Sequence, residues 1–219
     1  VTRLALGMPH EELLDMYYDM GIGSDTGLGL VGESAGMLRE RARWSDHERA
    51  TLSFGYGLSV TAVQLAKMYS AIANGGVVRP LTLLKSDQPP AGKQVVSEQY
   101  ADAMVEMLEQ VTEKGGTATK ARVPGYRVGG KTGTAKKAIA GGYGDDYVAS
   151  FAGVGPVSNP RLACVVVINE PAGDFYHGGE IAAPVFANIM GATMQLLNLT
   201  PDASSQSKIS AVTGGRNAG

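Results

Sequence analysis

The chain has 219 residues, 44% of them hydrophobic and 18% charged, with a formal net charge of −2. It is long enough for one good-sized core, and its balanced charge excludes the basic field that would make nucleic acid an expected partner. The single cysteine, Cys164, sits in the apolar run 162–168, which excludes a disulfide framework and a cysteine zinc site and reads as a small buried thiol.

The opening Val1–Gly7 reads as the end of a helix that starts upstream, so the chain is expected to be a fragment. Pro9 suits the first turn of a helix carrying Leu13, Met16, Tyr17 and Met20 on one face, stopped by Gly21-Ile22-Gly23. From Ser24 to Arg43 the sequence is glycine-rich with no period. Ser45-x-x-Glu48 and Thr61-x-x-Gln64 are capping-box patterns. The first predicts a short helix toward Leu52; the second predicts a helix with Val63, Ala66, Tyr69, Ala71 and Ile72 at helical spacing, ending at Asn74-Gly75-Gly76. Ser97 starts another helix, with Ala101, Met104, Val105, Leu108 and Val111 on one stripe and Gly115-Gly116 as its end. After Gly125 the period changes from 3.6 to 2. Residues 126–137, 147–155 and 161–170 read as strands, joined by a glycine-rich loop over 140–146 and by the turn 156–160. Such short connections allow only antiparallel pairing. A last helix over 181–197 offers Val185, Phe186, Ile189, Met190 and Leu196 to cover a sheet face. The fold class is therefore α+β, an antiparallel sheet covered by helices. Residues 1–200 read as part of one domain, and from Pro201 the polar composition predicts a disordered tail, 201–219. No run of apolar residues is long enough for a membrane span, and no signal peptide opens the chain.

Within the first strand, Gly129-Gly130-Lys131-Thr132-Gly133-Thr134 holds three glycines in five residues, so another group should approach that backbone closely. Lys131 supplies positive potential, the threonine hydroxyls can bind a carboxylate, and Gly133 leaves room for an extended peptide at the strand edge. Lys131 and the threonines point to opposite faces of an ideal strand unless the twist of an edge strand brings both to one cleft. A solvated edge lysine between β-favouring threonines is the alternative. Phe175-Tyr176-His177-Gly178-Gly179 reads either as an aromatic wall for ligands or as a packed loop. His10, His47 and His177 lie on separate elements, at no metal-ligand spacing.

The sequence resembles the transpeptidase domain of penicillin-binding proteins, whose signatures are Ser-x-x-Lys, Ser-x-Asn and Lys-Thr/Ser-Gly. The segments Phe54-Gly55-Tyr56-Gly57-Leu58, Thr61 to Ala66, Tyr126-Arg127 with Gly130 to Lys137, and Ala183-Pro184-Val185-Phe186 are similar, in order, to the class B enzymes of Gram-negative cell division. Ala62 departs from the proline usual there. Ser-x-x-Lys occurs only at Ser205–Lys208, in the polar tail, and Ser-x-Asn does not occur. The resemblance thus implies the C-terminal part of a transpeptidase domain of serine β-lactamase-like fold, partnered by an N-terminal half that carries the nucleophile serine. It implies a peptidoglycan D,D-transpeptidase of septal wall synthesis that takes stem peptides as substrate and is acylated by β-lactams. The chain alone should be inactive. Lys131 and Thr134 would be catalytic, Lys131 shaping the field and aiding proton movement, and the Thr134 N–H serving as an oxyanion donor. Thr132, Gly133, Thr134, Tyr176 and His177 would bind substrate. No metal or organic cofactor is implied. Divisome membrane proteins would be partners, and the parent would be anchored in the inner membrane by an N-terminal helix, with this part in the periplasm. Two alternatives compete: a penicillin-binding sensor module of the same fold, and an esterase using Ser34, because Gly32-Glu33-Ser34-Ala35-Gly36 matches Gly-x-Ser-x-Gly.

Overall fold

A computed structural model describes residues 1–38 and 44–203. The order is α1 (Thr2–Gly7), α2 (His10–Asp19), α3 (Asp46–Leu52), α4 (Ala62–Ala73), a two-residue pair β1 (Val77–Val78) and β2 (Lys93–Gln94), then α5 (Glu98–Gln110). A 3₁₀ turn (Thr119–Ala121), β3 (Gly129–Ile139), β4 (Gly142–Gly155), β5 (Leu162–Asn169) and α6 (Gly178–Leu196) complete it. The expected antiparallel meander is present, ordered β3-β4-β5 with Lys131 opposite Ala152 and Phe151 opposite Val166. β1 and β2 pair antiparallel, a contact too short to leave a period in the sequence.

Both faces of the sheet are covered. Phe151, Val166 and Val128 pack beneath Ala182, Ala183, Phe186, Met190 and Met194 of α6. On the other face Ala152 and Val154 pack with Tyr69 of α4 and with Val105 and Leu108 of α5. The Phe151 and Phe186 rings meet edge to face at 4.7 Å and are fully buried, each contributing roughly 1.5–3 kcal/mol by burial alone.

Both predicted capping boxes form: the Ser45 and Thr61 side chains accept from the amides of Glu48 and Gln64, whose side chains accept in return. Gln64 does more than cap. It is fully buried, and its Nε2 donates to Ser24 O and Ala35 O, both at 2.8 Å, so one side chain staples the loop 24–38 to the start of α4. Within that loop the Thr26 hydroxyl and amide donate to Glu33, whose carboxyl they hold below its ordinary value. Arg49 of α3 donates to the carbonyls of Ala5, Leu6 and Met8, placing a cation at the C-terminus of α1.

Several expectations need correction. The loop expected over 140–146 is mostly strand: β4 begins at Gly142, and only Ala140-Gly141 turn, with Ile139 opposite Gly142 and a bulge between Lys136 and Ala138. Glycines read as loop, yet Gly141 at φ +89° is what a two-residue hairpin turn requires. The helix expected from Ile181 begins at Gly178, and of its predicted stripe only Phe186 and Met190 point inward. Val185, Ile189 and Leu196 are 39%, 46% and 80% exposed. A helix apolar nearly all round carries no period that selects a face, and the small Ala182 and Ala183 bring it close to the sheet instead. Of α2 and its C-cap, Leu14 and Met20 are buried, whereas Met16 is 42% exposed.

The polar tail meets its first residues in ordered contact. Asp202 accepts from the amides of Arg127 (2.7 Å) and Ser158 (3.0 Å), and Ala203 N donates to Gly125 O. The remaining 204–219, including Ser205–Lys208, lie outside the described residues.

Candidate functional site

The site is built on the first half of β3. A Cβ on Gly129 would lie 2.7 Å from Glu109 N of α5, and one on Gly130 would lie 2.5 Å from the Phe151 ring. One on Gly133 would sit 2.4 Å from Ser150 Oγ on the neighbouring strand. The close approach that the glycines predicted is therefore made by the protein itself, which clamps the start of β3 between α5 and the sheet. Arg127 tightens this entrance: its Nε and Nη2 grip the two Glu109 carboxylate oxygens at 2.7 and 2.6 Å, and the pairing pushes the guanidinium pKa up.

Beyond the clamp the strand becomes exposed, and β3 pairs with β4 only, so its other edge is open among the described residues. Lys131 curls back over that edge. Its Nζ donates to Thr132 O at 2.9 Å and to Thr132 Oγ1 at 3.1 Å, which brings the ammonium and the hydroxyl together although their Cβ atoms point to opposite faces. Thr134 Oγ1 accepts from the amide of Gly178, the first residue of α6, at 3.2 Å. Each hydroxyl thus has an acceptor lone pair engaged by a positive group, which leaves its own proton for an acceptor. An ammonium, two hydroxyl donors and the positive end of a 19-residue helix converge at one strand edge. That combination suits a carboxylate.

The aromatic loop lies beside it. Tyr176 stacks on Tyr147 of β4 at 4.3 Å and touches His177 at 4.3 Å, and His177 immediately precedes the Gly178 that bonds Thr134. All five residues from the sequence reading that carry a substrate role, Thr132, Gly133, Thr134, Tyr176 and His177, fall at this edge or next to it. Thr117 carries no motif signal in the sequence. Its Oγ1 is 3.4 Å from Thr132 Oγ1, and the preceding Gly115-Gly116 had signalled only a helix end. Tyr147 and Ser150 likewise show in the sequence only as strand residues; their contacts with Tyr176 and with Gly133 come from neighbours that alternation does not reveal.

Ser34 has no comparable setting. Leu28 to Val31, the strand expected ahead of that serine, is not a strand, and Ser34 Oγ accepts from Gly36 N at 3.1 Å within its own turn. A Gly-x-Ser-x-Gly nucleophile sits on a sharp turn from a strand into a helix, and that frame fails at its strand; of the helix it would feed, Met37 to Arg43, residues 39–43 lie outside the described residues. Burial of Cys164 against the α6 core pushes its thiol pKa up, as expected for a structural cysteine. Among the described residues no helix is long and apolar enough to cross a membrane.

The family model for the penicillin binding protein transpeptidase domain matches residues 1–191. The peptidoglycan D,D-transpeptidase FtsI of Escherichia coli K12 is 49% identical over 204 residues, covering 93% of this chain and 35% of that protein. The probable peptidoglycan D,D-transpeptidase PenA of Neisseria gonorrhoeae is 42% identical over 201 residues, covering 91% and 35%. The apo structure of the TP domain from Burkholderia pseudomallei penicillin-binding protein 3 superposes with a TM-score of 0.88 at 43% identity, covering 93% of this chain and 62% of that one. The chain spans about a third of the length of the two curated relatives, 35% in each case.

Proposed function

The chain belongs to the penicillin-binding protein transpeptidase family, and from that membership we propose that it forms the carboxylate-binding side of the catalytic cleft of a serine D,D-transpeptidase. The observation that carries this reading is the convergence of Lys131 Nζ, Thr132 Oγ1 and Thr134 Oγ1 on the N-terminus of α6. The nucleophile serine and its lysine come from a Ser-x-x-Lys segment elsewhere in the domain, and Lys131 shapes the field around them. The substrate is the D-Ala-D-Ala end of a peptidoglycan stem peptide. It adds along the open edge of β3, its terminal carboxylate taking hydrogen bonds from Thr132 and Thr134. The serine attacks the penultimate carbonyl, D-alanine leaves with a proton, and an amine of a neighbouring stem takes the acyl group. The Thr134 N–H stabilises the oxyanion. Tyr176 and His177 wall the cleft, and β-lactams enter as mimics of the dipeptide.

Likeness to relatives named as transpeptidases supports an enzyme over a sensor module, and the division role follows the same relatives. Divisome membrane proteins as partners and a place on the periplasmic face of the inner membrane complete the proposal.

The test is Lys131→Ala in the enzyme that carries the complete domain, with acylation by a fluorescent penicillin followed over time. The rate should fall by roughly 10² or more, the scale of losing one electrostatic or acid-base group, while the fold survives. A rate within about twofold of wild type at unchanged Tm would make Lys131 an ordinary surface residue and overturn the assignment.

A further inference from the structure

β3 has a direction for its ligand. Gly129 and Gly130 are buried against α5 and Phe151, so a peptide whose carboxylate sits at Thr132 and Thr134 cannot continue toward that end. It runs the other way, antiparallel to β3, toward Ile139 and the hairpin turn. At that far end stands a second group of aromatic rings. Tyr143, opposite Ala138 on β4, meets Tyr56 edge to face at 5.3 Å, and Tyr56 meets Phe54 in the same manner at 5.7 Å. Tyr143 and Phe54 are 52% and 55% exposed. The neighbouring Lys136 and Asp145 face each other at 3.8 Å, with Asp145 fully open to solvent.

Resting on the transpeptidase reading, we propose that Phe54, Tyr56 and Tyr143 form a saccharide platform that receives the amino-sugar unit to which the stem peptide is attached. From Thr134 to Ala138 is four residues, about 13 Å along a strand. An extended five-residue stem spans about 17 Å, so a stem anchored by its carboxylate at Thr134 delivers its sugar end to the hairpin tip. The C–H face of a pyranose packs on an exposed tyrosine or phenylalanine ring, and its hydroxyls find a carboxylate and an ammonium in Asp145 and Lys136. Specificity for peptide still attached to glycan would then be read at one end of the cleft, and the D-Ala-D-Ala chemistry at the other.

The experiment compares, in the complete enzyme, D-alanine release in the presence of an acceptor amine from a free pentapeptide and from the same pentapeptide on its disaccharide. Wild type should show a KM about tenfold lower for the disaccharide-bearing substrate. Tyr143→Ser should abolish that advantage, Tyr143→Phe should keep it, and Phe54→Ser should reduce it. All three should leave turnover of the free pentapeptide and acylation by benzylpenicillin within about twofold of wild type. Equal KM values for the two substrates in wild type, or a Tyr143→Ser variant that loses both substrates alike while acylation persists, would overturn the platform and leave the transpeptidase reading standing. Absence of acylation in wild type would remove both.

Discussion

A hydroxyl that must present its proton to an anion needs its own lone pairs occupied by something positive, and β3 arranges this for both threonines. Thr132 has the Lys131 ammonium and Thr134 the first amide of α6. Thr117 adds a second oxygen at 3.4 Å from Thr132 Oγ1, which restricts the rotation of that hydroxyl. Thr117→Val should therefore slow acylation several-fold, on the order of one hydrogen bond, with Thr117→Ser restoring it and neither changing Tm. The loss should appear for ligands with the carboxylate and not for a carboxylate-free analogue; equal losses for both would make Thr117 merely structural. The motif residues were legible in the sequence because their chemistry is contiguous, Lys131 to Thr134. Thr117 was not, because it gains its meaning from a contact 15 residues away that only the packing of the 113–121 segment onto α6 creates.

Among the elements, α4 has an unusual first turn, since its third residue serves both as a cap and as the centre of the loop before it. Removing the Gln64 amide strands the carbonyls of Ser24 and Ala35 in a part-buried setting, where each lost partner costs up to about 1–3 kcal/mol. Gln64→Ala should lower unfolding free energy by roughly 2–4 kcal/mol in urea titration. Gln64→Glu, which keeps the shape but turns an acceptor oxygen toward two carbonyl acceptors, should not rescue it. A change under about 0.5 kcal/mol would show the loop to be held by other means. The capping box itself could be read from Thr61-x-x-Gln64, as could the meander from its period of 2, because both are local patterns. The face of α6 and the length of the β3–β4 hairpin could not. The first depends on which apolar stripe meets the sheet, and the second on backbone pairing through Gly142, a residue that offers no side chain to pattern.

At the scale of the whole molecule, the end of the described chain returns to the start of the motif strand. Asp202 joins Arg127, which stands between the core residues Tyr126 and Val128, to the β4–β5 turn at Ser158, with Tyr126 also donating to Leu199 O at 2.8 Å. In the complete enzyme, deletion of 204–219 should leave Tm unchanged, whereas deletion from Pro201, or Asp202→Ala, should lower it by about 2–8 °C, the equivalent of one or two kcal/mol in a domain of this size. Equal melting of the two truncations would show the Asp202 contacts to be without weight. The same carboxylate also places a clock on the fold. Asp202 follows Arg127 by 75 residues, and at synthesis rates of about 5–20 residues per second the strand that carries Lys131 is made some 4–15 seconds before the group that secures its approach. Until Asp202 is made the Arg127 amide lacks its carboxylate partner, as does the Ser158 amide for the last 44 residues of that interval, so the entrance to the motif strand is sealed only after the helix that covers it has been made.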